Sequence, residues 1–201
     1  MFFEPAKRDP ALRFDPVKAI IAPRPVGWIS TIGKCGTVNL APYSFFNMFS
    51  TQPAIVGFSS EGMKDSPSFA AETGGFVCNL ATYDLREAMN ETSRPFPRGA
   101  SELDPAGLGT EPSTLVTAPR VKGVAAALEC RLVEIKQLKD AAGSPLNFFL
   151  VLGEVVGVYI DDRFLRDGMF DTALAAPIAR CGYRDYAVVR ECFTMSRLSD
   201  G

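Results

Sequence analysis

"PVGWISTIGKCGTVNLA", Pro25 to Ala41, is the stretch that decides the fold. Pro25–Ile32 is apolar, β-branched and aromatic, and reads as a strand. Gly33–Gly36 ("GKCG") is a turn, and "TVNLA" returns as a second strand. Two such runs around a short glycine-bearing turn make a β-hairpin, so the sheet starts out antiparallel.

Working outward, Ala54–Ser60 ("AIVGFSS") is a short, nearly continuous apolar run of the kind buried strands carry. Asp65 or Ser66 can cap a helix with Pro67 in its first turn, and Gly74-Gly75 stops it. "FVCNLA" is another strand. "YDLREAMNETS" reads as a second helix, with Leu85 and Met89 at i,i+4. Arg94–Arg120 is a long proline- and glycine-bearing excursion without a sustained period, with one helical turn near "SELDPAGL". Two readings stand for it: a segment folded over a ligand or a partner subunit, or a mobile surface loop.

"AALECRLVEIKQLKD" supports two assignments. Leu128, Cys130 and Leu132 alternate, and Val133 and Ile135 then alternate in the opposite phase, as a strand with a β-bulge would. Ala125, Leu128, Leu132 and Ile135 also fit one helical face. "NFFLVLGEVVGVYID" is β-branched and aromatic and reads as the antiparallel partner of that segment, joined by "AAGSPL". The tail "PIARCGYRDYAVV" holds the polar-aromatic cluster Arg180, Tyr183 and Tyr186, a composition common at interfaces.

Composition narrows the function. The chain has 201 residues, 47% of them hydrophobic, which suits one domain with a real core. A net charge of −2 is not the basic field of a general nucleic-acid binder. "MFFEPAKRDP" lacks the basic and apolar regions of a signal peptide, and the longest apolar run is too short and too polar to span a bilayer. The expectation is a soluble, cytoplasmic protein. There is no histidine, which removes Ser-His-Asp and Cys-His catalysis, HExxH metal sites and imidazole proton shuttles. The five cysteines have no CxxC pairing and read as buried free thiols, so no metal site is expected.

The chemistry concentrates in Arg24–Ser66. "NLAPYSFFNMFSTQPA" mixes aromatics, hydroxyls and amides, which can cover the face of an aromatic ligand while backbone N–H groups meet its ring acceptors. "SSEGMKDSP" (Ser59–Pro67) adds hydroxyl donors, a lysine and a helix N-terminus, where anions bind. An aromatic ligand bearing a phosphate would use both halves. The plainer alternative is a hydrophobic strand-loop-strand with a capped helix, Lys64 being a solvated surface charge.

"RPVGWISTIGKCGTVNLAPYSFFNMFSTQPAIVGFSS", continued by "KDS", "ETGGFVCNLAT", "LREAMNETS", "LGEVVGVYIDD" and "PIARCGYRDYAVV", closely resembles the flavin-reductase-like family of FMN-binding split-barrel proteins. The resemblance runs through nearly the whole chain in the family's order. It implies a mainly β fold, an antiparallel split β-barrel of Greek-key type with accessory helices, spanning residues 1–201 as a single domain. It favours the strand for the segment around Leu128. It also implies a homodimer with FMN bound non-covalently near the subunit interface, completed by both chains.

Carried over by motif, Tyr43, Ser44, Phe45 and Asn47 line the isoalloxazine. Ser59, Ser60, Lys64 and Ser66 meet the phosphate. Arg24, Ser30 and Thr31 approach the flavin from the first strand. The resemblance makes the protein an NAD(P)H:flavin oxidoreductase, with NADH or NADPH as donor and with an electron-accepting partner protein as a further partner. An electron-carrier flavoprotein reduced by another protein, and a non-enzymatic FMN-binding module, are the alternatives. Many relatives carry histidine near the position of Tyr159, and its absence here bears on substrate contact rather than on hydride transfer to the flavin. No Rossmann fingerprint chooses between the two nicotinamides.

Overall fold

The hairpin forms as its sequence requires, and five further strands build on it. The computed structural model describes residues 1–196. Its main sheet has seven strands: β1 (Gly27–Ile32), β2 (Val38–Tyr43), β3 (Phe46–Thr51), β4 (Ala54–Glu61), β5 (Gly75–Leu80), β6 (Ala126–Lys139) and β7 (Pro145–Ile160). Their spatial order is β2-β1-β5-β6-β7-β4-β3, and every neighbouring pair is antiparallel.

The two edge strands, β2 and β3, are consecutive in the chain, with only Ser44 and Phe45 between them. Three Cα steps keep Tyr43 and Phe46 within about 11 Å, so the sheet must curl until its edges nearly meet. No ladder joins them, and the barrel stays split along this seam. Glycine is required where the edges approach: a Cβ on Gly27 would lie 2.6 Å from the Phe46 ring. The backbone N–H of Ser59 donates to the Phe45 carbonyl at 2.8 Å and pins the crossing.

β1 and β5 are apolar in nearly continuous runs because both of their faces are covered. On one face Ile29, Phe58, Phe76, Cys78, Cys130 and Val151 pack together with Ala70 of the first helix. On the other, Trp28, Leu40, Val77 and Ala127 pack with Met89, and Leu103, Leu108 and Val116 of the excursion close over them. The polar atoms between these layers are paired. The Asn79 amide donates to the Trp28 carbonyl at 3.0 Å and to Ser30 Oγ at 3.1 Å, and its oxygen accepts from Val121 N–H at 2.8 Å.

The ambiguous segment around Leu128 is strand β6. Leu152 faces Glu134 and Gly153 faces Leu132, which leaves Val133 without a partner in β7. Val133 is therefore a bulge, and it points outward, 55% exposed. The reversal of phase in the sequence is that extra residue.

Helix α1 spans Asp65–Thr73 and ends at Gly74, whose φ is +78°. Its N-cap is Lys64, not Asp65 or Ser66, and no side chain caps it. Both expected caps are engaged elsewhere: Asp65 Oδ2 accepts from Gly99 N–H at 2.6 Å, and Ser66 Oγ accepts from Asn39 Nδ2 at 2.8 Å. Helix α2 is shorter than its sequence suggests, Arg86–Glu91. The tail forms a hairpin, β8 (Ile178–Arg180) and β9 (Tyr186–Val188), and Arg24–Pro25 pairs with β8.

The excursion is irregular but anchored. Glu102 Oε2 accepts from Leu40 N–H at 2.8 Å, and the two oxygens of Glu129 accept from Thr114 and Leu115 N–H at 2.8 and 2.6 Å. Near "SELDPAGL" the chain makes a single turn, Ala106 N–H to Glu102 O at 3.2 Å. Of the five cysteines, Cys78 and Cys130 are buried as expected, Cys181 is half-buried, and Cys35 and Cys192 are exposed. Burial pushes the Cys78 thiol up to about 12. Among the described residues no helix is long and apolar enough to cross a membrane.

Candidate functional site

Two grooves open on either side of Pro42, next to the seam of the barrel. The large groove, about 680 Å³, is walled by β2, by Glu61–Lys64, by the start of α1 and by the excursion. Tyr43 stands against its inner wall, its ring 4.5 Å from that of Phe58. Burial holds the Tyr43 phenol above its usual pKa, and hydrogen bonds to Ser66 and Ser60 pull it partly back. Behind it, Asn39 bridges Ser66 Oγ and, at 3.3 Å, Thr31 Oγ1.

Both arginines of this groove have carboxylate partners. Arg98 Nε lies 3.5 Å from Asp65 and its Nη2 donates to Ser68 Oγ at 3.1 Å; Arg94 bonds Glu91 at 2.6 Å. Lys64 is exposed and makes no ion pair among the described residues. It sits at the uncapped N-terminus of a nine-residue helix. Unpaired N–H groups, the helix dipole and a lysine together suit an anionic oxygen group such as a phosphate ester. Glu102, also in the wall, has its carboxyl raised by burial and lowered in part by the Leu40 N–H.

The small groove, about 210 Å³, is lined by Lys18, Arg24, Ser44, Phe45, Arg180 and neighbouring residues of the tail hairpin. Arg24 is its buried floor. Its Nη1 donates to the Lys18 and Ile21 carbonyls, and its Nη2 to the Cys181 carbonyl at 2.9 Å.

The structure thus distributes the residues singled out in the sequence. Tyr43, Lys64 and Ser66 line the large groove, and Arg24, Ser44 and Phe45 line the small one. Asn47 is exposed on β3, its Oδ1 accepting from Met48 N–H at 2.8 Å. Ser60 is buried and donates to the Gly62 carbonyl at 3.0 Å. Ser59 Oγ is buried with no hydrogen-bond partner.

Ser30 and Thr31, expected to approach a ligand from the first strand, line neither groove. Both are fully buried, and Ser30 Oγ donates to the Pro119 carbonyl at 2.5 Å, which spends its donor inside the fold. Sequence reading missed Arg94, Phe96, Arg98 and Glu102 of the large groove and Lys18 of the small one. The excursion has no period to say which of its residues turn inward, and Lys18 precedes the barrel in a single helical turn, Val17–Ile20.

A seven-stranded antiparallel split barrel with ligand-sized grooves at its seam defines the class. Residues 21–173 match the model of the flavin reductase like domain, and the chain belongs to that family. It is 32% identical over 182 residues to an uncharacterised protein of Halalkalibacterium halodurans, covering 88% of this chain and 87% of that one. Among solved structures it resembles nitrilotriacetate monooxygenase component B from Bacillus cereus, at 28% identity and a TM-score of 0.88, over 97% of this chain and 98% of that one. Flavoredoxin of Desulfovibrio vulgaris shares the fold at 19% identity and a TM-score of 0.78, over 94% of this chain and 99% of that one.

Proposed function

We propose that this chain binds FMN and acts as an NAD(P)H-dependent flavin reductase. The observation that carries the reading is the large groove. It sets Lys64 and the uncapped start of α1 beside Tyr43 and Ser66, at the seam where "YSFFN" crosses from one sheet edge to the other. A phosphate dianion is costly to bury without charge-assisted donors, and this corner supplies them. The orphaned Ser59 Oγ, on the strand that pins the crossing, is a further buried group in need of a partner.

In this reading Lys64 and Ser66 hold the phosphate, with Ser60 supporting the wall behind Tyr43. Ser44, Phe45 and Asn47 meet the ring. FMN supplies the two-electron chemistry when bound, and the protein's part is to orient and shield it. The chain forms one domain and pairs as a homodimer; the exposed apolar side chains of Met48 and Phe49 on edge strand β3 support that assembly.

Anaerobic mixing of the FMN-loaded protein with NADH and with NADPH tests the reading. Bleaching of the flavin bands by either is the expected result. A yellow protein that neither donor bleaches is an electron carrier or a non-enzymatic FMN-binding module instead. A protein that takes up no FMN overturns the proposal entirely.

A further inference from the structure

We propose that the small groove is a binding site for a small aromatic carboxylate. The claim rests on the cations Lys18, Arg24 and Arg180 of the other groove, which the flavin reading does not use; the two readings share only the Ser44–Phe45 wall.

Charge is the first reason. Arg24 is a buried cation, 9% exposed, and no carboxylate pairs with it among the described residues. Backbone carbonyls take its two Nη groups, and its Nε is buried with no partner. A buried guanidinium normally has a carboxylate beside it, because desolvation without a counter-charge is expensive. Here two further cations, Lys18 and Arg180, converge on the same groove, and no Asp or Glu lines it. Lys18 Nζ lies 5.8 Å and Arg24 Cζ 6.0 Å from the centroid of one ring, Phe45. Like charges gathered this way repel, and a ring quadrupole attracts cations too weakly to neutralise them. An anion is the missing component.

Shape is the second reason. The rings of Phe45, Tyr183 and Tyr186 are 42%, 53% and 40% exposed around the cations. Arg180 is stacked 4.5 Å from the Tyr186 centroid and donates to the Tyr183 carbonyl at 2.7 Å. That bond holds Tyr183 at φ +57°, a conformation unusual for a residue with a side chain. The turn is locked from behind as well: a Cβ on Gly182 would lie 2.3 Å from the Ala19 Cβ. The wall is therefore built rigid before any ligand arrives. A cavity of about 210 Å³ is below the usual size for drug-sized ligands and cofactors. It suits a single ring bearing one carboxylate.

The test is a calorimetric titration of the whole protein with benzoate, with benzamide (the same ring without the charge) and with acetate (the charge without the ring). Benzoate binds, and both comparators bind at least about tenfold more weakly, the loss expected when a charge-assisted hydrogen bond or the ring contacts are removed. Lys18→Gln and Arg180→Gln each weaken benzoate about tenfold and leave benzamide and FMN binding unchanged. Arg24 is kept, because it holds three backbone carbonyls of the fold. No benzoate binding, equal affinity for benzoate and benzamide, or unchanged benzoate affinity in both variants overturns the proposal. Variants that change only the oligomeric state in sedimentation, with benzoate binding intact, show that the cluster is an interface and also overturn it.

Discussion

The large and small grooves share Pro42 and differ in how their charges are balanced. In the large groove each arginine has its carboxylate, Arg98 with Asp65 and Arg94 with Glu91; Lys64 stands unpaired at a helix start, and Glu61 and Glu102 line the groove without an ion pair among the described residues. In the small groove three cations meet and no carboxylate does. The first arrangement mixes both signs and sets its unpaired lysine at a helix start. The second carries its positive charge throughout and depends on what binds there. The difference has a structural origin. One wall of the large groove is the excursion, whose Glu102 folds inward to accept from the Leu40 N–H. The small groove is closed by the tail hairpin, whose Arg180 bonds only a carbonyl.

The strongest way to break this contrast is to release the excursion. Glu129→Ala leaves the Thr114 and Leu115 N–H groups without their acceptor. At about 1.5–3 kcal/mol for each hydrogen bond to a charged group, destabilisation of about 3 kcal/mol or more is expected. It should appear in urea unfolding as a lower midpoint. FMN affinity should fall as the wall loosens, while benzoate binding in the small groove stays. Loss of both together would mean that the grooves are not independent.

Lys64→Ala addresses the reserved corner. FMN binding should weaken by about 1–3 kcal/mol, and riboflavin, which lacks the phosphate, should bind as it does to the wild type. Equal losses for the two ligands in parallel titrations would place Lys64 at the ring or in the fold instead.

Arg98→Ala removes an ion pair whose arginine side chain is 71% accessible, though its Asp65 partner is 11% accessible. Such pairs contribute about 0–1 kcal/mol, so stability should barely move. A larger change in FMN affinity than in stability would show that Arg98 serves the ligand rather than Asp65.

The smallest effect concerns Glu102, whose carboxyl is raised by burial. A raised acid holds its proton more tightly in the folded chain, so its contribution to stability is fully present below the unfolded value and is lost as pH rises through the folded one. Measured from acid pH to neutrality, the wild type should lose stability relative to Glu102→Gln. The amide oxygen of the variant can still accept from Leu40 N–H. A pH-independent difference between the two proteins would show that Glu102 is not titrating in the fold.

The β-hairpin, the buried strands and the stop of α1 at Gly74 are legible in the sequence because each rests on neighbours along the chain. The bulge was legible only as one of two readings: Val133 shifts the alternation by one residue, but Ala125, Leu128, Leu132 and Ile135 also fit one helical face. The cap of α1 was misplaced because Asp65 and Ser66 both have good capping side chains, and only the fold shows that Gly99 and Asn39 take them. The bonds of Ser30 and Thr31 were illegible for the same reason: a hydroxyl on a strand is a candidate donor until Pro119 and Asn39 are known to lie beside it.

By itself, the sequence determined an antiparallel hairpin, a run of buried strands and a positive corner at Lys64. These follow from period, turn chemistry and helix ends, all of which act over a few residues; the split barrel came from the family resemblance. Only the tertiary structure decided that the crossing joins the two edges of one sheet and leaves a seam. It alone brought Arg94, Arg98 and Glu102 of an aperiodic excursion to one groove, and Lys18, Arg24 and Arg180 to another. The last two stand 156 residues apart in the chain and face each other as a strand pair, Arg24 opposite Arg180. Like charges are brought that close by backbone hydrogen bonds and burial, which act across the fold and leave no local pattern in the chain.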